Sequence, residues 1–182
     1  MLRIVKTNRS GELIHPEQKA FGGTFPFFEK LKMGGTGSSK MIYHKGIPEF
    51  DMLNKGEVGM TSFVSFELLK NGLLLRLNRN QKTKCLGIQL TELQKIELIA
   101  YRIEIREERF NVRKTKIIHR GELTIQSKDG VSAEFEILSS NFKSVKKYFN
   151  SPQLKAFFTF SISTNPPEKD FGYLAQYLDL FT

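Results

Sequence analysis

The sequence predicts an α+β fold, mainly β: an antiparallel barrel or sandwich closed by a C-terminal helix, with extensions at both chain ends. Two stretches carry this. Between Gly121 and Phe149, Leu123 and Ile125 alternate with Thr124 and Gln126, and Asp129-Gly130 supplies a two-residue hairpin turn. Val131, Ala133, Phe135 and Ile137 then alternate with Ser132, Glu134 and Glu136. Ser140-Asn141 offers a helix cap, and Phe142, Val145 and Phe149 recur at helical spacing. The second stretch, from Val64 to Ile105, holds apolar alternation of period two, the signature of half-buried strands.

In chain order, Leu2 to Val5 reads as a short strand, after which Ser10-Gly11 and His15-Pro16 punctuate the chain. Glu29 to Met33 reads as a helical turn, 34–39 (Gly-Gly-Thr-Gly-Ser-Ser) as a flexible loop, and Met41 to Tyr43 as another strand. Residues 1–55 are therefore expected to form an arm lying on the main domain, since their aromatics would otherwise form an exposed patch. The main domain spans 56–150. Val64, Phe66 and Leu68 mark one strand, Asn71-Gly72 a turn, and Leu73, Leu75 and Leu77 a second strand. A third runs from Lys84 to Leu90. Thr91 with Gln94 fits a capping box, yet Ile99, Tyr101, Ile103 and Ile105 demand a strand, so a brief turn and a long strand are expected. Ile117-Ile118 feeds the next strand across Gly121. Residues 151–182 form an extension in which 157–162 alternates weakly and 171–181 reads as a terminal amphipathic helix.

With 182 residues, 40% hydrophobic and 26% charged, the chain suits one domain with a core that needs neither disulfide nor metal. Sixteen Phe against no Trp indicates an aromatic-rich core. The single Cys85 excludes an internal disulfide and reads as a small core residue. The N-terminus lacks the apolar region of a secretory signal, and no apolar run approaches the ~18 residues of a membrane span, so a cytoplasmic location is expected.

Motifs for chemistry are lacking. The 34–40 stretch has Ser39 where a phosphate-binding loop needs glycine and Met41 where it needs Ser or Thr. His15, His44 and His119 have no ligand spacing, so neither a metal nor a cofactor is expected, and nothing selects a carboxylate pair for acid–base work.

The net charge of +9 directs attention to basic loops. From Lys70 to Lys84 the chain carries Arg76, Arg79, Lys82 and Lys84 and no acidic residue. A second group is Arg113, Lys114, Lys116, His119 and Arg120, and Lys143, Lys146 and Lys147 lie on the helix. Such cations can present several donors to phosphates, although they also keep surfaces soluble. No aromatic interleaves Arg76 to Lys84, which disfavours single-stranded nucleic acid.

Two stretches resemble bacterial pleckstrin-homology-like, or GRAM-like, domains. Gly87 to Ile99 is similar to the segment leading into the central strand of such domains. Leu123 to Ile125, Phe135 to Ile137 and Val145 to Phe149 are similar to their final hairpin and helix. The chain departs from the eukaryotic pattern in having no tryptophan in that helix. The resemblance implies a non-catalytic binding or scaffolding module, engaging a protein partner or an anionic lipid surface. The binding residues expected are Arg76, Arg79, Lys82 and Lys84. The alternatives are a nucleic-acid-associated basic β-domain and, less favoured, a small enzyme with no recognisable motif. Reversing Arg76 and Lys82 together is expected to abolish binding and spare the melting temperature.

Overall fold

The computed structural model describes residues 3–8, 12–48, 50–51, 62–79, 82–109 and 112–163; positions 78–79, 82–83, 102–109 and 112–119 are described by backbone alone. The chain is mainly β. Its strands are β1 (Arg3–Ile4), β2 (Met41–Lys45), β3 (Phe63–Leu69), β4 (Gly72–Arg79), β5 (Lys82–Gln89), β6 (Leu93–Arg109), β7 (Val112–Ser127), β8 (Ser132–Ile137) and β9 (Phe158–Ser163). The helices described in full are α1 (His15–Ala20), α2 (Phe27–Met33) and α3 (Phe142–Phe149). The predicted terminal helix over 171–181 lies outside the described residues.

The nine described strands form one sheet in the order β1-β5-β4-β3-β2-β8-β7-β6-β9. The sheet is not closed into a barrel. It is also mixed rather than wholly antiparallel, because β9 pairs in parallel with β6, Ile96 opposite Phe158. A parallel strand needs a crossover, and α3 with the turns over 151–157 provides it.

Short β2 joins the two halves. It pairs with β3 through Met41 and Val64 and with β8 through Tyr43 and Phe135. Residues 41–50 thus supply Met41, Tyr43, Ile47 and Phe50 to the main core. The sheet halves and α3 share that core. Phe66 lies edge-on to Phe135 and to Phe149, at centroid distances of 5.2 and 5.4 Å. Val145 and Phe149 of α3 are fully buried, with Phe142 packed at the margin.

The opposite face of β4 and β5 carries a second cluster of Val5, Leu13, Phe21, Leu69, Leu74 and Cys85. Two glycines make it fit: a Cβ on Gly72 or Gly87 would stand 2.4 or 2.3 Å from the Phe21 ring. The segment before β2 is held down by this aromatic and by Asn71 and Lys70, whose N–H groups donate to the Phe21 and Gly23 carbonyls.

Several local expectations take a different form. The Asp129-Gly130 hairpin has a three-residue loop, 128–130: the Gly130 N–H donates to the Ser127 carbonyl and Gly130 adopts φ 86°. This is a turn with a bulge glycine, and the Asp129 carboxylate holds it by accepting from the Ser127 hydroxyl. The expected brief turn at Thr91 and long strand are found, β6 starting at Leu93. The core-facing set of β6 is Leu93, Ile96, Leu98 and Ala100, not the Ile99–Tyr101 phase. A register shift between Leu93 and Lys95 sets that phase, and Tyr101 instead donates to Glu122 across the strand pair.

Candidate functional site

Of the four expected binding residues, the side chains of Arg76 and Lys84 are described. Arg76 lies on the face of the second cluster, its guanidinium 2.6 Å from the Glu67 carboxylate and 3.9 Å from the Cys85 sulfur. It is a half-buried cross-strand ion pair. Charge reversal there sets two carboxylates together, so the Arg76 and Lys82 double variant does not report on a surface alone. Position 79 pairs with position 82 at the end of the β4–β5 hairpin, and their side chains lie outside those described. Lys84 is exposed, opposite Leu77 on the adjacent strand. Of the second basic group, Arg120 is buried against Glu136, with 3.4 Å between them, and positions 113–119 are described by backbone alone.

Arg120, Glu136 and His44 form a polar cluster on the outer face of β2, β8 and β7. His44 Nε2 stands 3.3 Å from the Glu136 carboxylate. The bond from His44, with the Arg120 charge, holds that carboxyl below its ordinary range against the opposing effect of burial. Tyr101, bonded to Glu122 nearby, is pushed up to about 12, chiefly by burial. These charges are paired among themselves, and among the described residues no cluster has the makings of a metal site.

A different region is less complete. The 34–39 loop is held in place, contrary to its expected flexibility. Gly37 bridges to Glu67, the Ser38 N–H donates to the Phe66 carbonyl at 2.8 Å, and the Leu68 N–H donates to the Thr36 carbonyl at 2.7 Å. The Ser39 and Ser144 hydroxyls bond to each other, and Asn141 donates its side-chain amide to the Lys40 carbonyl instead of capping α3. Gly34 and Gly35, both at positive φ, end α2 by donating to the Leu31 and Lys30 carbonyls.

Between this loop and α3 lies a cleft of about 630 Å³, within the range of small-molecule sites. Its lining includes Lys32, Ser39, Ser144, Lys147, Tyr148 and Ser151, over an apolar floor of Met33, Leu68 and Pro152. No carboxylate is among the described lining residues. The Lys147 ammonium reaches the end of α2, 3.7 Å from where a Cβ on Gly34 would stand. The Tyr148 hydroxyl and Ser151 Oγ are buried with no hydrogen-bond partner. Burial, with the Glu67 charge adding to it, pushes the Tyr148 phenol well above its ordinary range, so it stays a donor.

Beside the cleft, α2 leaves its apolar side chains in water. Phe27, Phe28 and Leu31 are 71%, 74% and 68% exposed, and the two rings touch edge to face at 5.7 Å. Lys30 and Lys32 flank them on the same short helix. This patch and the β4–β5 hairpin tip sit at opposite ends of β3 and β4: the Gly23 carbonyl meets Lys70 at one end, whereas Phe63 faces Asn78 at the other. Seven strand residues separate them, roughly 20 Å or more. The sequence-based expectation puts these aromatics in an arm packed on the domain; the spacing Phe27, Phe28, Leu31 on a helix ending at Gly34 is the signal for one exposed face. Comparison with family models, curated proteins and solved structures finds no match to this chain.

Proposed function

We propose that the chain is a non-catalytic, pleckstrin-homology-like binding module that docks on an anionic lipid surface through α2. What carries the reading is the unpartnered face of Phe27, Phe28 and Leu31 with Lys30 and Lys32 beside it. Large apolar side chains held in water by a short helix gain free energy by entering a membrane interface, and adjacent lysines gain from anionic headgroups, about 1 kcal/mol each. The net charge of +9 adds long-range attraction. A cytoplasmic location belongs to the same reading, because the cytoplasmic leaflet carries anionic lipid. Support for the pleckstrin-homology-like part is the antiparallel run β5-β4-β3-β2-β8-β7-β6, followed by α3 packed into its core.

Co-sedimentation with phosphatidylcholine vesicles, with and without phosphatidylglycerol, tests this. The protein is expected to pellet only with the anionic vesicles, and less at high salt. Phe27→Ser with Leu31→Ser should weaken binding at least about tenfold at unchanged melting temperature, since both side chains are exposed. Arg79→Glu with Lys82→Glu, at the far end of the sheet, should leave it nearly intact. Indifference to phosphatidylglycerol, or undiminished binding by the serine variant, sinks the reading. Salt-sensitive uptake of RNA or DNA in place of vesicles favours the nucleic-acid alternative.

A further inference from the structure

The geometry points to the cleft between the 34–39 loop and α3 as a binding site for a phosphate group carried on a small organic molecule. It does not rest on membrane docking, because only Lys32 is shared with that face, and the other groups concerned line the cleft.

Three observations converge. Lys32 and Lys147 both line the cleft, and no carboxylate among the described lining residues offsets them there. An anion in the cleft is attracted by both charges. Second, Ser39 and Ser144 supply hydroxyls at the wall; Ser144 donates to the Asn141 carbonyl, and Ser39, bonded to Ser144, can turn its proton to a ligand instead. Third, Tyr148 and Ser151 bury hydroxyl oxygens that bond to nothing in the protein, although each lines this same cleft. A buried hydroxyl left unpaired is costly, and these two lie under the cleft wall, where a small side-chain turn would bring them to a ligand atom.

The donor set selects the ligand class. Ammonium and hydroxyl groups arriving from several directions suit a tetrahedral oxyanion with three outward oxygens better than a planar carboxylate, and lysine serves phosphate as a point charge. The apolar floor of Met33, Leu68 and Pro152 suits the organic remainder of the molecule. The glycines make no phosphate-cradling loop of the nucleotide-binding kind: the Gly34 and Gly35 N–H groups are spent on ending α2.

The same phosphate chemistry is offered by a soluble phosphomonoester or by a lipid headgroup, and titration calorimetry separates them. The intact protein is titrated with inorganic phosphate, glycerol 3-phosphate and phosphatidic acid vesicles, in chloride buffer. Saturable binding is expected, tighter for glycerol 3-phosphate than for inorganic phosphate, and weakened at least about tenfold by Lys147→Gln. Tyr148→Phe provides a second arm: it removes an unpaired buried hydroxyl, so the free protein should melt no lower, yet its thermal shift with glycerol 3-phosphate should shrink. Binding confined to vesicles but lost in Lys147→Gln supports the site and assigns it to a headgroup. Absence of saturable binding to all three probes, or wild-type affinity in both variants, overturns it. Phe27→Ser with Leu31→Ser should leave glycerol 3-phosphate binding unchanged, which keeps this test separate from that of membrane docking.

Discussion

Single side chains in this protein are mostly explained by what sits one or two strands away. Glu136 is the clearest case. Its carboxylate faces His44 from β2 and Arg120 from β7, and these hold its pKa below the ordinary 4.5. A carboxyl depressed in the folded state contributes stability that is fully present above its unfolded pKa and lost as pH falls through the folded value. Stability should therefore decline below about pH 4.5 partly through this group, and Glu136→Gln should flatten that portion of the acid limb in urea titrations. At neutral pH the same substitution should cost about 1–3 kcal/mol, because buried Arg120 loses a charged partner. An unchanged acid limb would assign the acid sensitivity elsewhere. Arg76 makes the same point for function: its place in a run of basic residues suggests a free cation, whereas a residue nine positions back, Glu67, is its partner across the hairpin.

At the level of elements, alternation locates strands well and faces less well. The strands around Val64–Leu68, Leu73–Leu77 and Ala133–Ile137 keep the expected core face. In β6 the shift between Leu93 and Lys95 transfers the core to Ile96, Leu98 and Ala100, because one inserted residue inverts every later side chain. Glycines without turn roles carry another message. Gly87 and Gly72 are smooth patches of sheet on which Phe21 lies. Gly87→Ala should cost about 1–3 kcal/mol by urea denaturation, since its methyl would stand 2.3 Å from the Phe21 ring. Phe21→Ala should cost about 3–5 kcal/mol, and Gly87→Ala should become nearly neutral in that background. Strict additivity of the two would mean that the ring does not occupy the glycine site.

Over the whole molecule, the sheet leaves a polar outer face on β2, β8 and β7 but is covered on both faces at β4 and β5. α3 and the opposing strands bury one face of β4 and β5, and Val5, Leu13, Ala20 and Phe21 of the N-terminal segment bury the other. Cys85 reports on the second cover: it is buried beneath that segment, and burial raises its thiol pKa. Deleting residues 1–23 should lower the melting temperature and expose Cys85 to a thiol reagent that labels the intact protein only on unfolding. Equal labelling rates in both proteins would show that the N-terminal segment does not shield this face.

The division between what could be read and what could not comes down to range. Turn residues, alternation and helical spacing act over a few positions, so the hairpin before α3, the 63–89 meander and the mainly β class were all legible from local pattern. The insertion of β2 between β3 and β8 was not, because a five-residue strand shows no partner in its own sequence. The cleft was hidden for the same reason. Lys32 and Ser39 stand more than a hundred residues from Ser144, Lys147 and Ser151, and only packing of the glycine-rich loop against α3 brings them to one wall. Apolar and turn chemistry, being local, specified the scaffold. Where the unpaired hydroxyls, the cleft lysines and the exposed aromatics of α2 lie was decided by tertiary contacts alone.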